Sequence, residues 1–423
     1  MRSLFLNTLG MSVLAYAAFT FGGCQLNTDD TTAVSPAMSD TPTMATELIP
    51  SLPATPYSYA NIQLPAYLTT GAVQGQINTP ANNQITDNGA TLGRVLFYDK
   101  KLSLNNTVSC ASCHKQEHGF SDPAKFSVGF KGGLTDRNSM SLLNARYYPN
   151  GRFFWDERAA NAEAQATMPI VHPVEMGMTM NALVTKLSAL SYYPPLFQKA
   201  FGTTTVDSSR VARSLAQFVR SIVSYRSKYD EGRSQFAVNT NPANVNFANF
   251  TQQENLGKNL FFTRGNCGAC HGTETFSSPP NAQNNGLDMM YTDNGVGAVT
   301  GIQNQNGQFK APSLKSIEKT APFMHDGRFA TLEQVVEHYN SGVKNHPNLS
   351  PPLRNPPGTP GAGQPRRLNL TQQEKDALVA FLKTLTDTGV ATDVKFSNPF
   401  VVAVEKKPHN GLVAKSNAPP AMH

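Results

Sequence analysis

Apolar residues recur at helical spacing in several stretches of the chain. Val211, Leu215, Phe218 and Ile222 form one stripe within residues 208–229, and Leu378, Phe381, Leu382 and Leu385 form another. Leu332, Val335, Val336 and Tyr339 share a face of the segment Thr331–Gly342. Two short amphipathic segments echo each other, Leu92-Gly93-Arg94-Val95-Leu96-Phe97 and Leu256-Gly257-Lys258-Asn259-Leu260-Phe261. Thr251-Gln-Gln-Glu254 introduces the second of them, and Thr371-Gln-Gln-Glu374 introduces the Leu378 stripe; both read as capping boxes. No long alternating pattern appears, so the expected class is mainly α.

The remaining segments set the organisation. Residues 1–23 carry Arg2 and an apolar run through Leu4–Phe21, which reads as a signal peptide rather than a spanning helix. The run ends in Phe-Gly-Gly before Cys24, so Cys24 is expected to become a lipid-modified first residue; ordinary cleavage leaving an unpaired thiol is the alternative. Residues 24–60, rich in Thr, Ser, Asp, Ala and Pro, read as a flexible tether. Two folded domains are expected at 61–238 and 249–390, joined by a linker at 239–248 and followed by an irregular tail at 391–423. The 29 prolines and 31 glycines imply long loops, notably at 351–364 and 277–286. A net charge of +6 spread over 423 residues, with no Lys/Arg run, gives no support to nucleic-acid binding.

The chemistry starts from the cysteines. Four of the five lie in Cys110-Ala-Ser-Cys113-His114 and Cys267-Gly-Ala-Cys270-His271. In such a motif two thiols form thioethers with the vinyl groups of one haem, and the adjacent imidazole reaches the iron. Zinc or disulfide pairs are the competing reading, but zinc would require no histidine at the same offset twice. The motifs and the echoed segments before them together predict two cytochrome-c-like haem domains with long loops, holding two covalently bound c-type haems. The Leu and Phe of each echoed segment are expected to cover a haem face. Attachment of c-type haem outside the cytoplasm in bacteria fits the export signal, so the expected location is the periplasmic side, tethered to the membrane through Cys24.

Further motifs carry a more specific likeness. In order along the chain stand Arg137-Asn138-Ser139, Phe154-Trp155-Asp156-x-Arg158-Ala159, Gln165, Glu175-Met176 and Thr320-Ala-Pro-Phe-Met-His325-Asp-Gly327. With the two haem motifs, they resemble the bacterial di-haem cytochrome c peroxidases, a superfamily that includes MauG, over roughly residues 80–390. The resemblance implies that Trp155 lies between the haems and assists electron transfer. It implies that Gln165 and Glu175 line the distal face of the first haem, with Glu175 as acid–base. Asn138, Thr320 and Pro322 match the inter-domain calcium site of the family, the last two through backbone carbonyls, a donor set suited to a hard cation. His325 matches a family histidine without an assigned role.

Two departures from the family pattern stand out. Where members activated by reduction carry a blocking histidine, this chain has Phe130, which cannot ligate iron; His118 lies too close to His114 to reach the opposite face. Where the standard peroxidases place a Met ligand to the second haem, this chain has Tyr339, as in MauG. Tyr339 is therefore expected as the second-haem ligand, with Met324 as the alternative donor and a plain core tyrosine as the bland one.

The expected function is reduction of hydrogen peroxide with electrons from a small cytochrome c or cupredoxin. A MauG-like oxidation of Trp or Tyr in a partner protein is the nearest alternative. A non-catalytic electron-transfer cytochrome is the alternative of another class, and a pure carrier has no use for Gln165 and Glu175. Homodimers are common in the family, although no interface is visible in the sequence.

Overall fold

The structure, a computed structural model, describes residues 48–277 and 281–402. Two helix pairs organise it. The Asp87–Tyr98 helix crosses Ser208–Ser221, and the Gln252–Phe262 helix crosses Gln372–Lys383. The glycine of each echoed segment marks its crossing point. A Cβ at Gly93 would lie 2.0 Å from the Ser214 carbonyl oxygen, and one at Gly257 would lie 1.8 Å from that of Ala377. Only hydrogen at these positions lets the backbones approach so closely.

The apolar stripes point inward as their spacing predicts. Val211, Leu215, Phe218 and Ile222 are buried in a first core, and Leu378, Phe381, Leu382 and Leu385 in a second. The first helix stops at Ser221, so the expected run to 229 is divided, with a separate short helix at Lys228–Arg233. Thr251 and Thr371 each form a complete capping box with Glu254 and Glu374. The only named strands among the described residues are Leu48–Pro50 and Phe400–Val402, so the class is mainly α.

The basic residue after each crossing glycine pins an irregular segment. Lys258 is buried and donates to the carbonyls of Pro242 and Val245, in the segment expected as the linker. Burial lowers its pKa to about 8. Arg94 donates to the carbonyls of Val394 (3.1 Å) and Lys395 (3.2 Å).

That second anchor corrects the expectation for both ends of the chain. Residues 391–402 return to the first core: Phe396 is buried against Tyr59, Phe120 and Phe218. Gln116 donates to the carbonyls of Val390 (2.9 Å) and Asp393 (3.0 Å), and Tyr98 to that of Phe396 (2.7 Å). The stretch 48–60, expected as part of the tether, is also packed. Leu48–Pro50 pairs antiparallel with Phe400–Val402, Tyr59 is buried, and Asp87 accepts from the Tyr59 and Ala60 backbone. Aromatic burial outweighs the disorder-prone composition here. The expected signal peptide, Cys24 and residues 24–47 lie outside the described residues, as does the tail from 403. Among the described residues no helix is long and apolar enough to cross a membrane.

Phe396→Ala should therefore destabilise the protein by about 3–5 kcal/mol, the usual cost of emptying a buried phenylalanine site. Val402→Ala, at a half-exposed position of the terminal strand, should cost under about 0.5 kcal/mol. Denaturant midpoints followed by far-ultraviolet circular dichroism check both; equal midpoints for the two variants would show that the tail is not packed.

Candidate functional site

Cys110–Cys113 forms a single helical turn closed by a capping box from Ser109 to Ser112, and His114 follows as its C-cap. The His114 Nδ1 lies 2.9 Å from the Phe120 carbonyl oxygen. That bond fixes the tautomer and leaves Nε2 available. The second motif repeats the device: His271 Nδ1 lies 3.3 Å from the Phe276 carbonyl oxygen. Phe120 and Phe276 both sit in the left-handed region, at φ 57° and 51°, which turns each carbonyl back toward its histidine. Burial pushes the His114 imidazole down and the His271 imidazole down to about 4, so both are held neutral, the form that ligates a metal.

The four motif cysteines are not disulfide-bonded, and burial pushes the Cys110 and Cys267 thiols up to about 12. Among the described residues no group of three or more His, Cys, Asp or Glu could hold a metal ion. Paired thiols beside an oriented imidazole on a cavity wall fit a covalently attached c-type haem.

The first cavity, of about 650 Å³, brings together Cys113, His114, Trp155, Gln165, His172 and Glu175. Gln165 projects from the Ala162–Val171 helix, which Asn161 caps through the Ala164 N–H. Glu175 follows in the next loop. Burial pushes its carboxyl above the usual range; His172 and Arg158 oppose that shift, and Asp136 adds to it.

Phe130 lies behind this loop and does not line the cavity; its residue is only 7% exposed. Its N–H donates to the Glu175 carbonyl (3.0 Å), and its ring fills the space where a Cβ on Gly177 would sit, 2.3 Å away. Gly177 has φ 64°, so a side chain is excluded there twice over. Phe130 thus shapes the loop that carries Glu175. His118 likewise does not line the cavity.

The sequence reading missed His172. Its Nδ1 lies 3.5 Å from Glu175 Oε1, and its side chain is 40% exposed against 26% for that of Glu175, so it extends from the partly buried carboxyl toward solvent. The signal was its position three residues before Glu175, yet one histidine at that spacing is too common to single out.

Trp155 lines both cavities. Its indole N–H donates to the Asn138 carbonyl (2.8 Å), and its own carbonyl accepts from the Lys310 N–H (2.8 Å). The neighbouring Asp156 accepts from Arg137 and Arg158, and Arg137 also donates to both oxygens of Asp293, at 2.7 and 2.8 Å. Phe154 and Glu157, flanking this pair, sit at φ 67° and 56°. Such strain persists only where surrounding contacts overdetermine the backbone.

Leu332, Val335, Val336 and Tyr339 all line the second cavity, as do Cys267, Cys270 and His271. The helix Leu332–Glu337 widens into a π turn at His338–Gly342, which carries Tyr339. Burial pushes the Tyr339 phenol up, and a hydrogen bond with Asn285 opposes this. Asn285 also donates to Met324 Sδ (3.4 Å), so both expected ligands share one amide. Phe261 lines this cavity, as its echoed segment suggested, whereas Phe97 sits in the first core 6.5 Å from the His114 ring.

Asn138, Thr320 and Pro322 line the same cavity wall. The Asn138 amide nitrogen donates to the carbonyls of Ala124 and Lys125, both at 3.2 Å, leaving its Oδ1 as the acceptor. The His325 carbonyl accepts from the Asn138 N–H, and its ring stacks on Phe309 at 3.7 Å.

Comparison with known proteins agrees with this geometry. Residues 87–235 match the family model described as di-haem cytochrome c peroxidase, and residues 255–386 match cytochrome c. The chain is 34% identical to a methylamine utilization protein MauG of Methylorubrum extorquens over 72% of its length and 80% of the relative's. It is 33% identical to a cytochrome c551 peroxidase of Nitrosomonas europaea, over 73% and 81%. A crystal structure of a MauG-like protein associated with microbial copper homeostasis superposes with a TM-score of 0.66 at 30% identity, covering 80% of this chain and 99% of that one. The di-haem peroxidase BthA from Burkholderia thailandensis shares the fold, with a TM-score of 0.59 at 22% identity over 84% and 99%. The chain belongs to the di-haem cytochrome c peroxidase and MauG family, oxidoreductases that carry covalently bound c-type haems.

Proposed function

We propose that the protein reduces hydrogen peroxide in the first cavity and holds its second haem as an electron store. The observation that carries this reading is the convergence of Gln165, His172 and Glu175 on the cavity that contains His114. Cys110 and Cys113 would hold one haem with His114 on its iron, and Cys267 and Cys270 the other with His271. Bound there, the haems supply the redox chemistry, in which peroxide takes up two electrons and two protons and yields two waters.

The chain's own residues manage the protons. Glu175, as carboxylate, takes the proton of the peroxide O–H and returns it to the departing oxygen. His172 links Glu175 to solvent, from which the two further protons of the reaction arrive, while the Gln165 amide orients peroxide. Phe130 positions the Glu175 loop and, unlike a histidine, offers no ligand to the iron. Trp155, clamped between the cavities, is placed to pass electrons between them.

Tyr339 would be the second side chain, after His271, to hold the second haem. The π turn carries it onto the lining of the second cavity with the apolar stripe of Leu332, Val335 and Val336, whereas Met324 stands in a loop at φ 76°. Asn138, through Oδ1, and the carbonyls of Thr320 and Pro322 supply oxygen donors for a calcium ion beside Trp155. A small cytochrome c or cupredoxin would deliver the electrons. The Tyr339 position also favours a second reading, in which a Trp or Tyr of a partner protein is the reductant. Export and lipid attachment at Cys24 would place either reaction on the periplasmic side.

Glu175→Gln should lower kcat/KM for peroxide by about 10²–10⁴-fold, the usual worth of a positioned acid–base. Because the base form is required and burial raises the Glu175 pKa, the wild-type rate should rise with pH through a limb above the ordinary carboxylate range. The variant should lose that limb. A variant as active as wild type would show that Glu175 is not the acid–base.

Tyr339→Phe should change the ferric optical and magnetic circular dichroism bands of one haem, and Met324→Leu should leave them in place. The reverse pattern would assign the ligand to Met324.

A further inference from the structure

Among the described residues that line both cavities, Lys310 is the one that carries a charged side chain. It is 6% exposed. Its Nζ stands 3.9 Å from the centre of the Tyr148 ring and 4.6 Å from that of Phe153. Among the described residues no carboxylate pairs with it. Glu157 acts on it from beyond ion-pair distance, and the Glu157 carboxylate already accepts the Tyr148 hydroxyl.

This is an unusual place for an ammonium. Burying one costs more than two aromatic faces return. Burial accordingly lowers the Lys310 pKa to about 7. The backbone leaves the residue little choice of position, because its N–H is tied to the Trp155 carbonyl. An ammonium so fixed, at the boundary of two cavities, is completed by an anion that comes from a cavity.

The chemistry of the family's cofactor narrows the anion to a carboxylate. Thioether bonds engage the vinyl edge of a c-type haem, which leaves its two propionates at the far edge of the macrocycle. We propose that Lys310 is a carboxylate-binding site shared by the two cavities and taken by a haem propionate. The assignment rests on the reading that the two Cys-x-x-Cys-His motifs hold haem. Lys310 acts here as a positioning residue. Its ammonium neutralises the propionate beside Trp155 and, as a positive charge near iron, favours the ferrous state. A small mobile carboxylate is the other source of the same chemistry.

The test is spectroelectrochemical titration of the haem-loaded full chain, as wild type, Lys310→Met and Lys310→Arg, each in acetate and in an acetate-free buffer. Lys310→Met should lower the midpoint potential of at least one haem, Lys310→Arg should keep it near wild type, and acetate should shift neither. Unchanged potentials in Lys310→Met would overturn the proposal. An acetate-dependent potential in wild type that disappears in Lys310→Met would assign the site to a free carboxylate and overturn the propionate.

Should Lys310→Met fail to mature, the propionate bending bands in the resonance Raman spectra of wild type and Lys310→Arg decide the question. Bands unmoved by the change of donor would count against the contact. Haem content is measured first: a wild-type chain without two haems would refute the motif reading, not the Lys310 assignment.

Discussion

The hydrogen bond from the Trp155 indole to the Asn138 carbonyl is the contact on which the site depends. It fixes the single tryptophan on the wall shared by both cavities, and the elements around it serve to keep it there. Arg137 draws Asp156 and Asp293 together from distant parts of the chain, while Lys310 binds the Trp155 carbonyl from the other side. Asp156 is buried, so the cost of removing it from water is offset by two guanidinium partners and the Arg158 N–H in hydrogen-bond contact. Loss of either partner would leave the buried carboxylate less well compensated and would loosen the backbone that carries the indole.

Around that contact the chain uses the same physical devices twice. Gly93 and Gly257 let two helix pairs cross at backbone contact. Arg94 and Lys258, one residue further on, tie down the segments that would otherwise be loose. Phe120 and Phe276 turn their carbonyls back to His114 and His271. The repetition extends beyond fold to the orientation of the imidazoles. The two cavities then diverge in what stands opposite: hydrogen-bonding and acidic groups in the first, an apolar stripe ending in Tyr339 in the second.

Much of this was legible in the sequence because the signals are local. The Cys-x-x-Cys-His motifs, the capping boxes at Thr251 and Thr371, and the Val211 and Leu378 stripes each fall within a few turns of helix. Gln165, Glu175 and Trp155 were found through the order of the family's motifs, and the structure brings all three to one cavity. The packing of residues 48–60 and 391–402 was not legible. Tyr59 and Phe396 are isolated aromatics in aperiodic stretches, and they become core only when Arg94, Tyr98 and Gln116 supply donors for the returning backbone. Lys258 was hidden for a similar reason: nothing local shows that carbonyls from Pro242 and Val245 will surround its ammonium. His172 and Lys310 acquire meaning only from what faces them across a cavity.

The central claim is that the first cavity meets peroxide with its distal groups in place and no protein ligand in the way. Rapid mixing of the fully oxidised, haem-loaded protein with one equivalent of hydrogen peroxide tests it most directly. The account predicts a prompt change in haem absorbance before any reductant is added. A protein that stays inert to peroxide until one haem is reduced would contradict it, and would mean that a group other than Phe130 closes the distal face at rest.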